Sequence, residues 1–256
     1  MLLAIDVGNS QTVCGIFKKG RLLCHWRLKT DRQKTADELA ARFLTLFSMQ
    51  NITFQDISGV IIASVVPTQQ HAWQDFAARY TECEPLLVDG RSLETGITLA
   101  TDNPAEVGAD RIVNAVAAFD QYGGCCIVVD FGTAITFDCI SARGEYLGGA
   151  IMPGISVSLD ALASHTAKLP RIDISKPPPQ TIGANTVDAI KSGLLFGYGA
   201  MVDGLTAKLA AELPDVPQII ATGGMAELIA PYSKAIQVVD PMLTLKGLSL
   251  LYEKNR

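Results

Sequence analysis

Two short acidic turns of the same design contain most of the side chains that could do chemistry. The first holds Asp6, Val7, Gly8, Asn9, Ser10, Gln11, Thr12 and Val13, and the second holds Asp130, Phe131, Gly132, Thr133, Ala134, Ile135 and Thr136. The acid, glycine and threonine of the two turns are each separated by 124 positions. A glycine permits a tight turn whose backbone N–H groups bind an anion, and a carboxylate suits hydrated Mg²⁺ shared with phosphate oxygens. The repeat therefore predicts a duplicated domain whose two turns face one phosphorylated ligand and its metal ion.

Each turn alone has a simpler interpretation, an ordinary β-hairpin with Asn and Gly at its tip. Neither turn is a Walker phosphate-binding loop, because the pattern GxxxxGK[ST] does not occur in the chain. The second copy favours a phosphate site over two plain hairpins, because acid, glycine and threonine keep the same spacing in both.

A third candidate segment lies at the predicted start of a helix, within 104–111. Its candidate residues are Gly108, Ala109, Asp110 and Arg111. Helix N-termini favour anions through the helix dipole and their free N–H groups. Asp110 is suited to take a proton from a hydroxyl nucleophile, and Arg111 is suited to bind a carboxylate in bidentate fashion. A helix cap with a surface ion pair is the alternative interpretation.

Two further turns carry polar or small residues at the ends of predicted elements. Gly223 and Gly224 follow a late core strand that ends in Ala221-Thr222, and paired glycines let the backbone approach a flat ligand such as adenine. Asn185 and Thr186 open a helix, where either can cap it or direct a polar group at a substrate. A plain strand-to-helix turn and a plain N-cap are the alternatives.

Alternating apolar patterns place these residues at the ends of strands and helices. In the first half we predict strands at 2–7, 12–18, 21–28, 59–66 and 85–89, and helices at 35–49 and about 68–80. Thr35 followed by Glu38 is a capping box that fixes the start of the first helix. The second half repeats this order, with strands at 126–131, 135–141, 145–152, 218–224 and 235–239 and helices at about 154–164, 184–211, 225–230 and 241–252. Glycines within 184–211 predict a break in that helix or close packing against it.

Strands that alternate with helices predict an α/β fold with mostly buried sheets. We assign a first domain to 1–114 and a second to 115–256, with the junction in a helix over 105–121. Two such domains in tandem predict a cleft between them, where ligand sites usually form.

Composition excludes several classes of protein. The chain has 256 residues, 48% of them hydrophobic and 18% charged, as expected for a globular protein with a real core. A net charge of −5 argues against a nucleic-acid partner. No apolar run reaches 18 residues, so no membrane span is expected, and the apolar start is predicted to be a strand. The six cysteines form no CxxC and are interpreted as reduced thiols of a cytoplasmic protein.

The motifs DVGNSQT, PAEVGADR, DFGTAIT, GGAIMPGI, IGANT and TGG, in this order, resemble those of the type III pantothenate kinases. The resemblance covers essentially the whole chain, and the family belongs to the superfamily of acetate kinase, sugar kinases, Hsp70 and actin. It implies two ribonuclease-H-like (actin-like ATPase) domains, with mixed sheets flanked by helices and the active site in the cleft. It also implies ATP-dependent phosphorylation of pantothenate to 4'-phosphopantothenate, the first step of coenzyme A synthesis. The implied enzyme is a homodimer that uses Mg²⁺ or another divalent cation together with K⁺ or NH₄⁺.

The resemblance also implies roles for individual residues. The stretch from Asp6 to Val13 matches the family's first phosphate loop, and Thr133 matches the second. Positions 108–111 match the pantothenate-binding segment, in which Asp110 resembles the general base. Asp130 matches the ligand of the monovalent cation, and Thr186 matches a substrate contact supplied across the dimer. Asp6 is in addition a candidate for holding Mg²⁺ through water or phosphate oxygens.

The chain departs from the family pattern at two positions. Thr101 stands where the family usually has a tyrosine that contacts pantothenate, and Ile135 replaces a threonine of the second loop. The first change is expected to alter affinity rather than reaction class. Three alternatives keep the fold but change the function: another small-molecule kinase, a non-enzymatic accessory factor for transcription, and a chaperone-like or filament-forming relative of actin. The acceptor segment and the presence of Asp6 and Asp110 argue against the first two, and the short chain against the third.

Overall fold

The structure of the chain is a computed structural model, and it describes residues 1–89, 93–166 and 168–256. Over these residues the helices are α1 (Ala36–Ser48), α2 (Pro67–Phe76), α3 (Ala109–Tyr122), α4 (Ile155–His165), α5 (Thr186–Glu212), α6 (Ala226–Ile229) and α7 (Leu243–Lys254). The strands are β1 (Leu2–Val7), β2 (Gln11–Lys18), β3 (Arg21–Lys29), β4 (Gly59–Ser64), β5 (Leu86–Leu87), β6 (Thr98–Leu99), β7 (Cys126–Phe131), β8 (Ala134–Ile140), β9 (Glu145–Pro153), β10 (Gln218–Thr222) and β11 (Val238–Val239). The predicted alternation of strands and helices is confirmed in both halves.

The chain divides into two compact units, and the division differs from the predicted ranges 1–114 and 115–256. The first unit contains Met1–Gly96, Asp102–Ala117 and Leu243–Arg256, and the second contains Ile97–Thr101 and Ala118–Met242. The C-terminal helix α7 belongs to the first unit because its Leu245 lies against Gly15 of β2 and its Gly247 against Val113 of α3. Such long-range packing is invisible to local sequence patterns.

The first unit is built on a mixed sheet of order β3-β2-β1-β4-β5. Strands β1, β2 and β3 form an antiparallel meander, while β1, β4 and β5 run parallel. One face of this sheet packs on α1 and α2 through a cluster of aromatic rings that includes Phe43, Phe47, Trp73 and Phe76. Thr35 and Glu38 form the predicted capping box at the start of α1. Helix α2 begins at Pro67 itself, since proline fits the first helical position, where no N–H partner is needed.

The second unit repeats this plan on a sheet of order β11-β10-β7-β8-β9-β6. Strands β7, β8 and β9 form the antiparallel meander, while β10 and β11 run parallel to β7. Its core packs the sheet against α5 through residues such as Leu195 and Val202. Helix α5 is unbroken, so of the two alternatives for its glycines close packing is correct, at Gly199, where a side chain would overlap the Tyr232 carbonyl.

Candidate active site

The first predicted phosphate loop connects β1 to β2 and is closed by its own backbone. The Gly8 N–H donates to the Gln11 carbonyl at 3.1 Å, so this amide is occupied and is not one of those available to an anion. A Cβ at Gly8 would lie 2.8 Å from the Gln11 carbonyl oxygen, and that contact explains the glycine. Thr12 is buried behind the turn and shares a hydrogen bond of 2.9 Å with the Thr30 hydroxyl.

Asp6 lies at the carboxyl end of β1 and is half-buried. Successive side chains of a strand point to opposite faces, and Ile5 and Val7 belong to the core under α1 and α2. The Asp6 carboxylate is therefore on the other face, the one covered by α7. It is close enough to the buried Cys14 that burial first, and the Asp6 charge second, raise the pKa of that thiol above its usual range. Cys14 therefore stays a neutral thiol, and Asp6 supplies the negative charge at this position.

The predicted acceptor segment forms the first turn of α3. Asp110 accepts a hydrogen bond of 2.8 Å from the Arg111 backbone N–H, and its carboxylate folds back over Gly108. A Cβ at Gly108 would lie 2.6 Å from that carboxylate oxygen, so the glycine is required by the position of the acid. Burial raises the pKa of the Asp110 carboxyl, while the Arg111 backbone N–H and guanidinium partly oppose that shift.

The first loop and the acceptor segment lie at the same end of the first unit's sheet. The Val65 N–H, just after β4, donates to the Val7 carbonyl at 3.1 Å. A Cβ at Gly108 would lie 3.7 Å from the Val65 side chain. Val65 thus links the end of β1 to the start of α3, and α3 packs on α7 through Val113 and Gly247. These contacts hold Asp6, at the carboxyl end of β1, and Asp110, at the start of α3, at the same end of the sheet.

The second predicted loop connects β7 to β8 in the second unit. It is closed by a hydrogen bond of 3.0 Å from the Gly132 N–H to the Ala134 carbonyl, and the Gly154 N–H donates to the Thr133 carbonyl at 3.0 Å. Asp130 is half-buried beside Gly223, whose φ is +90° and whose missing side chain makes room for the Asp130 carboxylate and the Phe131 backbone. The position of the Asp130 carboxylate therefore explains why residue 223 is a glycine. The close approach of this turn to adenine stays a prediction.

The other predicted residues are placed as follows. Asn185 is the N-cap of α5, since its side chain accepts a hydrogen bond of 2.9 Å from the Asp188 N–H. Thr186 is the first residue of that helix and is exposed. Ile135 points into the second core, so its hydrophobic character has a structural reason. The Thr101 hydroxyl is buried and has no hydrogen-bond partner among the residues that the structure describes.

Sequence reasoning missed the turn between β3 and α1, which holds the first loop in place. The Thr30 hydroxyl donates to the Gly8 carbonyl at 2.7 Å, and the Thr30 N–H donates to the Ser10 carbonyl at 3.0 Å. The Arg32 guanidinium donates to Asn9 Oδ1 at 3.1 Å. The register of the meander was the available signal, because Thr12 pairs with Leu28 and Gln11 with Lys29, which brings Ser10 beside Thr30.

A surface cavity of about 740 Å³ in the first unit lies away from these residues. It is lined by Lys18, Lys19, Gly20, Gly59 and Tyr252, among others, at the opposite end of the sheet from the first loop. Within the described ranges there is no group of three or more His, Cys, Asp or Glu residues arranged to hold a metal ion. Nor does any described helix have the length and apolar character that crossing a membrane requires.

Two units of this design, each with a mixed sheet and an acidic turn at the end of a central strand, define the class of actin-like ATPase and sugar-kinase folds. A protein of Sinorhizobium meliloti described as a 2-dehydro-3-deoxygalactonokinase superposes with a TM-score of 0.61 at 13% identity, covering 99% of this chain and 98% of that one. A Campylobacter jejuni protein described as a Baf-family transcriptional activator has the same TM-score at 19% identity, covering 98% of this chain and 97% of that one. At these identities the likeness confirms the predicted fold class and nothing further.

Sequence comparison goes beyond the fold. The family model of the type III pantothenate kinases matches residues 2–208. A type III pantothenate kinase of Anaeromyxobacter dehalogenans is 50% identical over 256 residues, with 100% of both chains covered. One of Halalkalibacterium halodurans is 48% identical over 255 residues, again with 100% of both covered. The chain belongs to the type III pantothenate kinase family, as its motifs predicted.

Proposed function

We propose that this chain transfers the γ-phosphoryl group of ATP to the primary hydroxyl of pantothenate, giving 4'-phosphopantothenate and ADP in the first step of coenzyme A synthesis. Membership of the family supports the reaction. The observation in the structure that supports it most directly is Asp110, a half-buried carboxylate whose pKa is raised, at a helix N-terminus and at the same end of the sheet as the first loop.

Asp110 acts on the hydroxyl in this proposal. A carboxylate whose pKa is raised by burial is a stronger base than an exposed one, so it accepts the hydroxyl proton as the new O–P bond forms. The transferred group passes through a loose state with little covalent help from the protein, so alignment and charge neutralisation dominate the rate. The fixed fold of Asp110 over Gly108 supplies that alignment.

Arg111 and Thr186 bind the acceptor in this proposal. The Arg111 guanidinium lies one residue from the base and is suited to the pantothenate carboxylate, which needs a bidentate donor. Thr186 is exposed at the start of α5, so its hydroxyl is accessible to a substrate held by another subunit. The buried, unpartnered Thr101 hydroxyl takes the place of the family's tyrosine, and we expect weaker pantothenate binding there.

The cations are assigned to the two acidic turns. Asp6 would hold the divalent cation together with phosphate oxygens, and the loops from Asp6 to Val13 and around Thr133 would hold the phosphates. Asp130 would hold K⁺ or NH₄⁺. The absence of a side chain at Gly223 brings backbone close to the Asp130 carboxylate, and hard cations prefer carboxylate and carbonyl oxygens. When bound, these ions neutralise charge on the transferred group.

A cytoplasmic homodimer is also part of the proposal. Several large apolar side chains of the second unit are exposed, and Val187 among them adjoins Thr186. The others are Leu147, Ile151, Val157, Leu162, Ile182 and Val216. Protein interfaces bury apolar side chains, so the exposed Val187 beside Thr186 supports a dimer that brings Thr186 to the partner's substrate.

The test is a direct assay of the purified chain with ATP, Mg²⁺ and pantothenate. ADP release is followed with and without K⁺, and the phosphorylated product is identified by mass spectrometry. We expect ADP release only when pantothenate is present, and faster release when K⁺ is present. Equal ADP release with and without pantothenate, in both salts, would reject the proposed function.

A further inference from the structure

The predicted phosphate-binding residues leave a shortage of positive charge around the nucleotide. Neither the first turn, 8–12, nor the second, 132–134, contains a Lys or Arg. The one cation among the predicted site residues is Arg111, which the proposal assigns to pantothenate. The phosphates of ATP carry about three to four negative charges, so the two positive charges of the proposed divalent cation leave part of that charge for protein cations to neutralise. A further cationic side chain is therefore expected near the first loop.

Arg32 is positioned to meet this need. Its guanidinium donates a hydrogen bond of 3.1 Å to Asn9 Oδ1, at the tip of the first loop. A guanidinium presents five N–H donors in a planar fork, so a single bond to Asn9 leaves most of them available. The side chain is exposed, and among the described residues it forms no ion pair with a carboxylate. Arg32 is thus fixed to the phosphate loop without being neutralised.

The neighbouring acid, Asp31, forms no ion pair with Arg32, and its carboxylate is bonded within the turn instead. The Asp31 carboxylate accepts a hydrogen bond of 3.1 Å from the Gln33 backbone N–H, and the Asp31 carbonyl accepts one from the Lys34 N–H. These bonds close the turn that leads into the cap of α1. They direct Asp31 towards its own chain while Arg32 bonds to the loop.

The backbone that carries Arg32 is bonded to the loop at two more points. The Thr30 hydroxyl donates to the Gly8 carbonyl at 2.7 Å, and the Thr30 N–H donates to the Ser10 carbonyl at 3.0 Å. Together with the Arg32–Asn9 bond, these contacts bond three successive loop residues to 30–32. A cation held this way is preorganised, which lowers the entropy lost when an anion binds.

We propose that Arg32 is a phosphate ligand of the nucleotide, and that residues 30–32 form a second wall of the first phosphate loop. The inference rests on the proposed function, because it takes the first loop as the nucleotide site. Arg32 would contact the phosphates through its free N–H groups, as a bidentate donor to phosphate oxygens. It takes no part in breaking or forming bonds.

The test compares Arg32→Gln with a matched control, Arg21→Gln. Arg21 is an exposed arginine at the start of β3, the strand that precedes the turn with Arg32, and it also lacks a carboxylate partner in the described chain. Dissociation constants for ATP with Mg²⁺, ADP and adenosine are measured by calorimetry on the full chain. We expect Arg32→Gln to weaken ATP binding about ten- to a hundredfold and to leave adenosine binding unchanged. Arg21→Gln should leave both unchanged.

Arg32→Lys serves as a second variant, because lysine keeps the charge but loses the planar fork. An ATP affinity between those of wild type and Arg32→Gln would support a phosphate contact. ATP binding by Arg32→Gln within twofold of wild type would overturn the inference while leaving the proposed function intact. Equal weakening of ATP and adenosine would also overturn it, since that pattern indicates a disturbed loop. A wild-type chain that binds no ATP would reject both proposals.

Discussion

The two acidic turns descend from one pattern, but the structure supports them in different ways. In the first unit the residue that follows the meander is Thr30, and its side chain bonds to the loop as well as its backbone. The residue 124 positions later is Gly154, which donates only its N–H, to the Thr133 carbonyl. A side chain at Gly154 would collide with the carbonyls of Thr133 and Gly132. At this position the first loop is therefore held by a side chain as well as by backbone, and the second by close backbone contact.

The surroundings of the two acids also differ. The hairpin registers place Gly15 of β2 beside Ala4 of β1, and Asp138 of β8 beside Val128 of β7, so Gly15 and Asp138 are the equivalent positions of the two copies. Asp138 is fully buried and accepts hydrogen bonds from the Tyr146 hydroxyl at 2.7 Å and the Thr136 hydroxyl at 2.9 Å. Asp130 pairs with Thr136, and side chains two positions apart on a strand share a face, so Asp138 lies on the face of Asp130, where the first copy has Gly15. The carboxyl oxygens of this additional acid make the face of Asp130 better suited to a cation, in agreement with the proposed roles of the two loops.

The largest effect is expected outside both loops, at Asp110. We expect Asp110→Asn to lower turnover about 10²- to 10⁴-fold, since it removes the proposed base. The raised pKa means that ionised Asp110 costs stability at neutral pH, and that this cost disappears as the pH falls below the usual range of an aspartate. The variant should therefore melt at a higher temperature than wild type at pH 7 and at the same temperature in strong acid. Near-wild-type turnover would rule out Asp110 as the base.

The same raised pKa predicts the pH dependence of turnover in the wild type. Protonation removes the base, so kcat should fall on the acid side, with a midpoint above the usual range of an aspartate. A pH profile of kcat at saturating substrates measures this midpoint. A midpoint within the usual range would contradict the assignment of Asp110, unless a step other than chemistry limits kcat, which a single-turnover profile would reveal.

Asp6→Asn and Asp130→Asn test the asymmetry of the loops directly. We expect Asp6→Asn to lower turnover about a hundredfold or more at every K⁺ concentration, because it weakens the site of the divalent cation. Asp130→Asn should instead raise the K⁺ concentration needed for half-maximal activity, and excess K⁺ should recover part of the rate. Turnover measured across a K⁺ titration distinguishes the two. If both variants respond to K⁺ alike, the loops are not specialised as proposed.

Local patterns were sufficient to predict the elements, but not their long-range partners. The meanders, the capping box at Thr35 and the helix α3 follow from periodicity and short-range hydrogen bonds, and the structure confirms them. The packing of α7 into the first unit and the two-residue strand β6 depend on contacts between distant segments. The hydrogen bonds from Thr30 to the first loop also join distant segments, and no sequence motif indicates them. The acids could be recognised from the sequence because the proposed chemistry requires a carboxylate. The residues that position the acids could not, because several residue types can do so.

Substitution of the loop glycines by alanine should lower the stability of the protein more in the first loop than in the second. A Cβ at Gly8 would lie 2.8 Å from the Gln11 carbonyl, whereas a Cβ at Gly132 would lie 3.4 Å from the Ala134 carbonyl. We expect Gly8→Ala to lower the free energy of unfolding by about 1–3 kcal/mol, as overpacking does, and to weaken ATP binding. Gly132→Ala should cost less than about 1 kcal/mol, because its contact is close to ordinary. Urea denaturation measures both, and equal costs would show that the two turns are equally tight.

The smallest effect is expected for Thr30→Val, which removes the hydroxyl that bonds to the first loop but keeps nearly the same side-chain shape. Thr30→Val loses the hydroxyl that bonds to Gly8 and Thr12, so the loop gains freedom that ATP binding must remove. We expect the KM for ATP to rise about three- to tenfold, with the KM for pantothenate unchanged. Thr30→Ser keeps the hydroxyl and should resemble wild type in a steady-state assay. Were valine and serine to give the same KM for ATP, the Thr30 hydroxyl would not support the loop, and the proposed difference between the two turns at this position would be wrong.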